Sequence, residues 1–145
     1  VFSCGCHHYG RLGIQGLKED VRIPREISRP EGIGSRIANR YVDIATGQLH
    51  SVALTVSGEA FAWGAGDDLQ LGTGKEDCEN VPVKLLGIQL RGDEARGVPP
   101  RQAIAVACGF QHTAIIACKR DEAKDDGGEE KMKISEAATS KKRKH

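Results

Sequence analysis

Aromatic residues are scarce in this chain, at 4 % of 145 positions with a single tryptophan. Charge of one sign is also lacking. The formal net charge is +1, so the whole molecule carries no strong electrostatic bias toward nucleic acid or a membrane surface. No apolar run approaches the ~20 residues that span a bilayer, and no signal-peptide pattern is visible at the start. The five cysteines are odd in number and irregularly spaced, which argues against a disulfide framework. The chain opens on Val1, without an initiator methionine, directly into a strand pattern. This leads to the expectation that it is the C-terminal piece of something longer. Glycine, by contrast, is abundant, with 18 residues. Together with an ordinary apolar fraction, it favours β-structure with many turns over a helical bundle.

The organising stretch is Gly58 to Gly74. A turn at Ser57-Gly58 leads into a strand in which Phe61 and Trp63 face one way and Ala60 and Ala62 the other. Gly64 and Gly66 stop it, and Leu69 and Leu71 read as two further alternating apolar positions before Gly72 and Gly74. The same grammar occurs earlier. Phe2-Ser3-Cys4-Gly5 aligns with Phe61-Ala62-Trp63-Gly64, and Leu12-Gly13 with Leu71-Gly72, at one constant offset. Ile23-Pro24 matches Val81-Pro82. The run Val42 to His50 matches Ile104 to His112. The chain therefore holds two copies of a unit of roughly 60 residues, a length in the solenoid and propeller range. The second is lengthened by Arg91 to Pro100, rich in Gly, Pro and charge.

Strands are expected at Val1–Gly5, from Arg11 to Ile14, at Ile23–Ile27 (an edge strand, given Pro24), at Tyr41–Ala45 and at His50–Val56, with Ser28 to Asn39 irregular. Short turns throughout make a meander. A four-stranded meander in each repeat suggests one propeller blade per repeat. The expectation is an all-β partial propeller of about two blades, unable to close into a ring on its own because its flanking faces stay open.

Cys4-Gly5-Cys6-His7-His8 offers thiolate and imidazole, the ligands zinc prefers. No second matched pair accompanies it, and Cys4 aligns with the apolar position of Trp63. Buried free cysteines acting as small hydrophobes in a reducing compartment, with no bound metal, are therefore the expectation. From Lys119 both charges mix without an apolar period, and Lys141, Lys142, Arg143 and Lys144 form a basic end. Residues 119–145 read as a disordered tail whose cluster serves nuclear import, phosphate contact or simple solvation.

The residues resemble a known family. Trp63-Gly64, then Gln70-Leu71-Gly72-Thr73-Gly74, Pro82-Val83 and Gln111-His112-Thr113 resemble the repeats of the regulator of chromosome condensation family. Tyr9 to Gly13 with Ile23-Pro24 and Ile27-Ser28-Arg29 resemble its penultimate repeat, and Phe61 onward its last. The likeness covers residues 1–118, with repeat one at about 1–55 and repeat two at about 56–118. It departs at Cys4, where an aromatic is usual, and at Leu69, where the repeat often has glycine.

The resemblance implies a seven-bladed β-propeller to which this chain supplies about two blades. It further implies a chromatin-bound, nuclear guanine-nucleotide exchange factor for the small GTPase Ran, supporting nucleocytoplasmic transport and mitosis. Its partners would be Ran and chromatin (histones and DNA). No cofactor, small-molecule substrate or membrane is implied. Exchange makes and breaks no covalent bond; it rests on tighter binding of the nucleotide-free GTPase. Ser51 beside His50 does not make a triad, since neighbours on a strand face opposite ways. The glycine runs open no helix, so they are not a phosphate-binding loop. His112 matches a histidine of the family's last repeat implicated in exchange, and His50 is its equivalent one repeat earlier. Both also fit a scaffold role, pinning a turn. Asp67 and Asp68 are the remaining candidates for the Ran-facing surface, against a reading as solvated turn residues. The alternatives are a binding module of the same superfamily, such as substrate recognition in a ubiquitin ligase, or a fragment inactive alone.

Overall fold

The computed structural model describes residues 1–28 and 40–119. The expected irregular segment up to Asn39, except Ser28, and all of the charged tail beyond Lys119 lie outside them. Among the described residues, eight strands form three antiparallel sheets. Strands β1 (Phe2–Gly5) and β2 (Val21–Glu26) make a two-stranded ribbon. The central sheet is a meander of β3 (Tyr41–Thr46), β4 (His50–Thr55), β5 (Ala60–Gly64) and β6 (Glu79–Lys84). Strands β7 (Arg101–Cys108) and β8 (Thr113–Lys119) make the second ribbon. Sheet and sequence repeat are thus out of phase. The complete four-stranded sheet takes two strands from each repeat, and a half-sheet flanks it on either side.

Every residue of β4 and β5 is buried, because both faces of the central sheet are covered. On one face Val52, Leu54, Ala60 and Ala62 join Leu71, Leu85 and Ala103, with Val106, Cys108 and Ile115 of the last ribbon packed on them. Small alanines here let the second ribbon approach, and the Ala103 amide donates to Gly58 O at 2.9 Å. On the other face Trp63 and Ala53 meet Ile27 and the partly buried Tyr41, whose ring stands edge-on to Phe61 with centroids 5.9 Å apart. The facing expected of Phe61 and Trp63 against Ala60 and Ala62 therefore holds. The indole Nε1–H of Trp63 donates to Arg11 O at 3.1 Å, joining the central sheet to the first ribbon.

Three expectations need correction. Arg11 to Ile14 is a turn and not a strand; Leu12 and Ile14 are buried from that turn, in a small cluster with Val21. Leu69 and Leu71 likewise lie in a turn, where Leu69 is exposed and Leu71 fully buried. In both repeats glycines permit positive φ right after the buried leucine, at 66° for Gly13 and 65° for Gly72, and a strand cannot continue through that geometry. The cysteines are not buried. Cys4 and Cys118 are exposed, and Cys6, Cys78 and Cys108 half-buried. Trp63 is covered by the turn of the first repeat, while no earlier repeat in this chain covers Cys4. The inserted stretch is ordered by a helical turn, α1 (Ile88–Arg91), and a 3-10 turn (Glu94–Arg96) closed by a bridge between Asp93 and Val98.

Candidate functional site

Two equivalent hairpin turns, Gly47–His50 and Gly109–His112, lie side by side at one edge of the sheets. In each the glycine amide donates to the histidine carbonyl, at 2.8 Å and 2.9 Å, and Gln48 N donates to Phe110 O across the pair at 3.3 Å. A Cβ at either glycine would collide with the ring of the histidine of the same turn. The Gly-x-x-His spacing therefore has a steric cause: each imidazole fills the space that a Cβ on its own glycine would take.

The two rings have different surroundings. His50 is buried, at 1 % exposure, because the second turn covers it. Its Nε2 lies 3.0 Å from Thr113 Oγ1, and that hydroxyl donates to Gln70 O at 2.8 Å. A hydroxyl has one proton. With the Thr113 proton on the Gln70 carbonyl, His50 Nε2–H points to Thr113 Oγ1, and its buried Nδ1 has no hydrogen-bond partner among the described residues. Burial first, and the neighbouring His112 second, push the His50 pKa below 6.5. In this tautomer His50 is a donor toward Thr113, the reverse of what a general base does to a nucleophile. The two bonds tie β4, through Thr113 of β8, to the turn after β5.

His112 is exposed. Beside it a cleft of about 310 Å³ is lined by Asp68, Gln70, Leu71, Leu90, Gln111 and Ile115, among others. Gln111 Nε2 donates to Asp68 Oδ2 at 2.6 Å, and Asp68 N donates to Gln70 Oε1 at 2.9 Å. Of the sequence candidates, the structure brings His112 and Asp68 to one rim, with His50 beneath as its support. Asp67 turns away, 3.7 Å from Cys78 Sγ, and does not line the cleft. The basic cluster Lys141, Lys142, Arg143 and Lys144 lies outside the described residues. Gln70, Gln111 and Thr113 belong to the site without having been singled out. Their signal was present in the Gln-Leu-Gly and Gln-His-Thr motifs, but a glutamine carries no charge or nucleophile to draw notice. The rim thus offers carboxylate, amide and imidazole groups around an apolar floor, a surface suited to a protein partner.

Family comparison matches the regulator of chromosome condensation (RCC1) repeat over residues 1–54 and 57–116. The human regulator of chromosome condensation is 33 % identical over 122 residues, 84 % of this chain and 25 % of that protein. The human E3 ubiquitin-protein ligase HERC2 is 32 % identical over 83 % of this chain and 2 % of its own length. The crystal structure of Prp20p from Saccharomyces cerevisiae superposes with a TM-score of 0.65 and 23 % identity, over 83 % of this chain and 27 % of that one. That likeness shows the fold: a partial β-propeller whose sheets are not closed into a ring. The chain spans about a quarter of the regulator it matches.

Proposed function

This chain belongs to the regulator of chromosome condensation repeat family, and from that premise we propose that it forms part of a guanine-nucleotide exchange factor for the small GTPase Ran. In this reading the protein is nuclear and chromatin-associated, and works by gripping its partner without bond chemistry. The observation that carries it is the asymmetry of the two equivalent histidines. His50 is consumed by the scaffold, while His112, in the same turn one repeat later, is exposed beside a cleft. The identity to the human regulator supports the choice of partner. Residues 1–118 supply the propeller repeats, and Lys141 to Lys144 the import or phosphate-contacting cluster.

The test is release of labelled GDP from Ran by the full-length protein and by its His112→Ala variant. A loss of about tenfold or more is expected if His112 is an anchor of the interface. Unchanged exchange at unchanged stability would reject the role, and a loss of folding would return His112 to the scaffold.

Similarity to HERC2 favours a second reading, a protein-binding propeller within a ubiquitin ligase. The complete reading frame separates the two: seven repeats and nothing else support the exchange factor, and an attached ligase domain supports the alternative.

A further inference from the structure

The end of the β1–β2 ladder holds a second cluster, remote in role from the cleft. Gly5 pairs with Val21, so Cys6 and Asp20 leave the ladder next to each other from opposite strands. The 3-10 turn His8–Gly10 then doubles back and sets His8 Nδ1 3.1 Å from Cys6 Sγ. One ligand atom each from Cys6, His8 and Asp20 fall within 4.8 Å of one another. The His7 amide and Nδ1 both reach Asp20 Oδ1, at 3.0 Å and 2.9 Å, which fixes how that carboxylate is presented. Arg11 Nε holds the turn through His8 O at 3.0 Å.

We propose that this is a zinc site, with Cys6, His8 and Asp20 as ligands, His7 as the residue that orients the carboxylate, and the remaining tetrahedral position open to water. One thiolate, one imidazole and one carboxylate form a donor set of intermediate softness that suits zinc, and the thiolate disfavours calcium or magnesium. Zinc–ligand bonds of about 2.0–2.3 Å in a tetrahedron separate the donors by roughly 3.3–3.6 Å. The three donor atoms now lie within 4.8 Å of one another, so they need to close by only about 1 Å to reach that spacing. The donor set differs from a Cys-x-Cys pair: Cys4, on the strand, takes no part, and Asp20 comes from a distant point in sequence. Binding displaces the Cys6 thiol proton. The metal then staples the loop after β1 to the segment before β2. In the other repeat the equivalent loops bring Cys78 Sγ to 3.7 Å from Asp67 Oδ1.

The experiment is a cobalt titration of the reduced, tag-free full-length protein, read by absorption and followed by displacement with zinc. Expected are a thiolate-to-cobalt charge-transfer band and strong tetrahedral d–d bands that saturate at one equivalent and vanish with zinc. Cys6→Ser removes the charge-transfer band, and Cys78→Ser leaves it unchanged. Asp20→Asn and His8→Gln each weaken cobalt binding by tenfold or more, and His7→Ala by about tenfold or more, as loss of an outer-shell partner does. Asp20 is exposed, so its variant folds even if Cys6→Ser does not. No thiolate band at saturating cobalt, a band that survives Cys6→Ser or follows Cys4→Ser, or unaltered affinity in Asp20→Asn would overturn the assignment.

Discussion

Leu69 holds, at φ 59°, the position that Gly10 holds at φ 71° in the other repeat. A left-handed conformation in an L-residue with a side chain is unfavourable by roughly 1–2 kcal/mol. Leu69 is also 54 % exposed, so little packing offsets that strain. Glycine at this position loses about 0.4–1 kcal/mol through the greater freedom of the unfolded chain. The strain term is the larger. Leu69→Gly in the full-length protein is therefore expected to gain about 0.5–1 kcal/mol, read as a higher urea midpoint at unchanged slope. A lower midpoint would mean that Leu69 makes a contact worth more than its strain.

Gly13 gives the opposite sign. Its φ is 66°, and a Cβ there would stand 2.8 Å from Trp63 Nε1 and 3.0 Å from two further ring atoms. Gly13→Ala combines backbone strain with an overpacked contact that costs about 1–3 kcal/mol. The same displacement breaks the indole bond to Arg11 O. Trp63 is the one tryptophan in these 145 residues, so in the isolated chain its emission reports the site directly, and a red shift relative to the unsubstituted chain is expected. Unchanged emission would show that the turn yields instead of the ring.

How far the sequence carries can be judged from these same residues. Alternation of Phe61 and Trp63 against Ala60 and Ala62 disclosed both faces of β5, because period two is a local property. The alternation of Leu69 and Leu71 misled. Two apolar residues cannot report a positive φ at the first of them, and the turn residue that would have signalled it, glycine, is replaced there by Leu69. The phase of the sheet was not legible, since a repeat found by self-comparison has no marked origin. Nor was the separate fate of the histidines. The Gly-x-x-His spacing is the same in both turns, and what buries one ring is the second turn, far along the chain. Asp68 pairing with Gln111 and Asp20 meeting Cys6 are long-range contacts of the same kind.

His50 makes stability depend on pH. Its pKa is lowered by burial, so between that value and 6.5 the unfolded chain binds a proton that the folded chain does not. Stability is full above about pH 6.5 and falls as the pH is taken below it. The urea midpoint of the full-length protein is expected to be lower at about pH 5.5 than at about pH 7.5. His50→Gln, whose amide can still donate to Thr113, should reduce that difference. A midpoint that rises on acidification, or an undiminished difference in His50→Gln, would contradict a His50 kept neutral by its burial.

The outer faces bear on whether the chain stands alone. Ile104 and Ile116 are 55 % and 62 % exposed on the last ribbon, and Phe2 and Ile23 68 % and 76 % on the first. Core-facing residues of the last ribbon, such as Val106 and Ile115, are packed, whereas in the first ribbon only Val21 of β2 is buried, so both ribbons leave apolar surface open. The isolated chain is expected to bind a hydrophobic dye, associate as its concentration rises, and melt without a sharp transition. A cooperative melt from a species that sediments as a monomer would show that two half-sheets suffice to close the core.

Asp68 and Gln111 separate interface from scaffold most cleanly. Their bond at 2.6 Å joins two exposed side chains, and a contact of that kind contributes only about 0.5–1.5 kcal/mol to stability. Asp68→Ala should therefore shift the urea midpoint little, and Gln111→Ala no more. If the rim grips a protein partner, the same substitutions remove a carboxylate and the amide that aims it. Loss of about tenfold in partner affinity is expected from Asp68→Ala. Gln111→Ala should lose less, and the double variant less than the sum of the two. Additive losses would mean that the two residues touch the partner independently, and affinity unchanged in Asp68→Ala would remove this rim from the interface while leaving the fold as described.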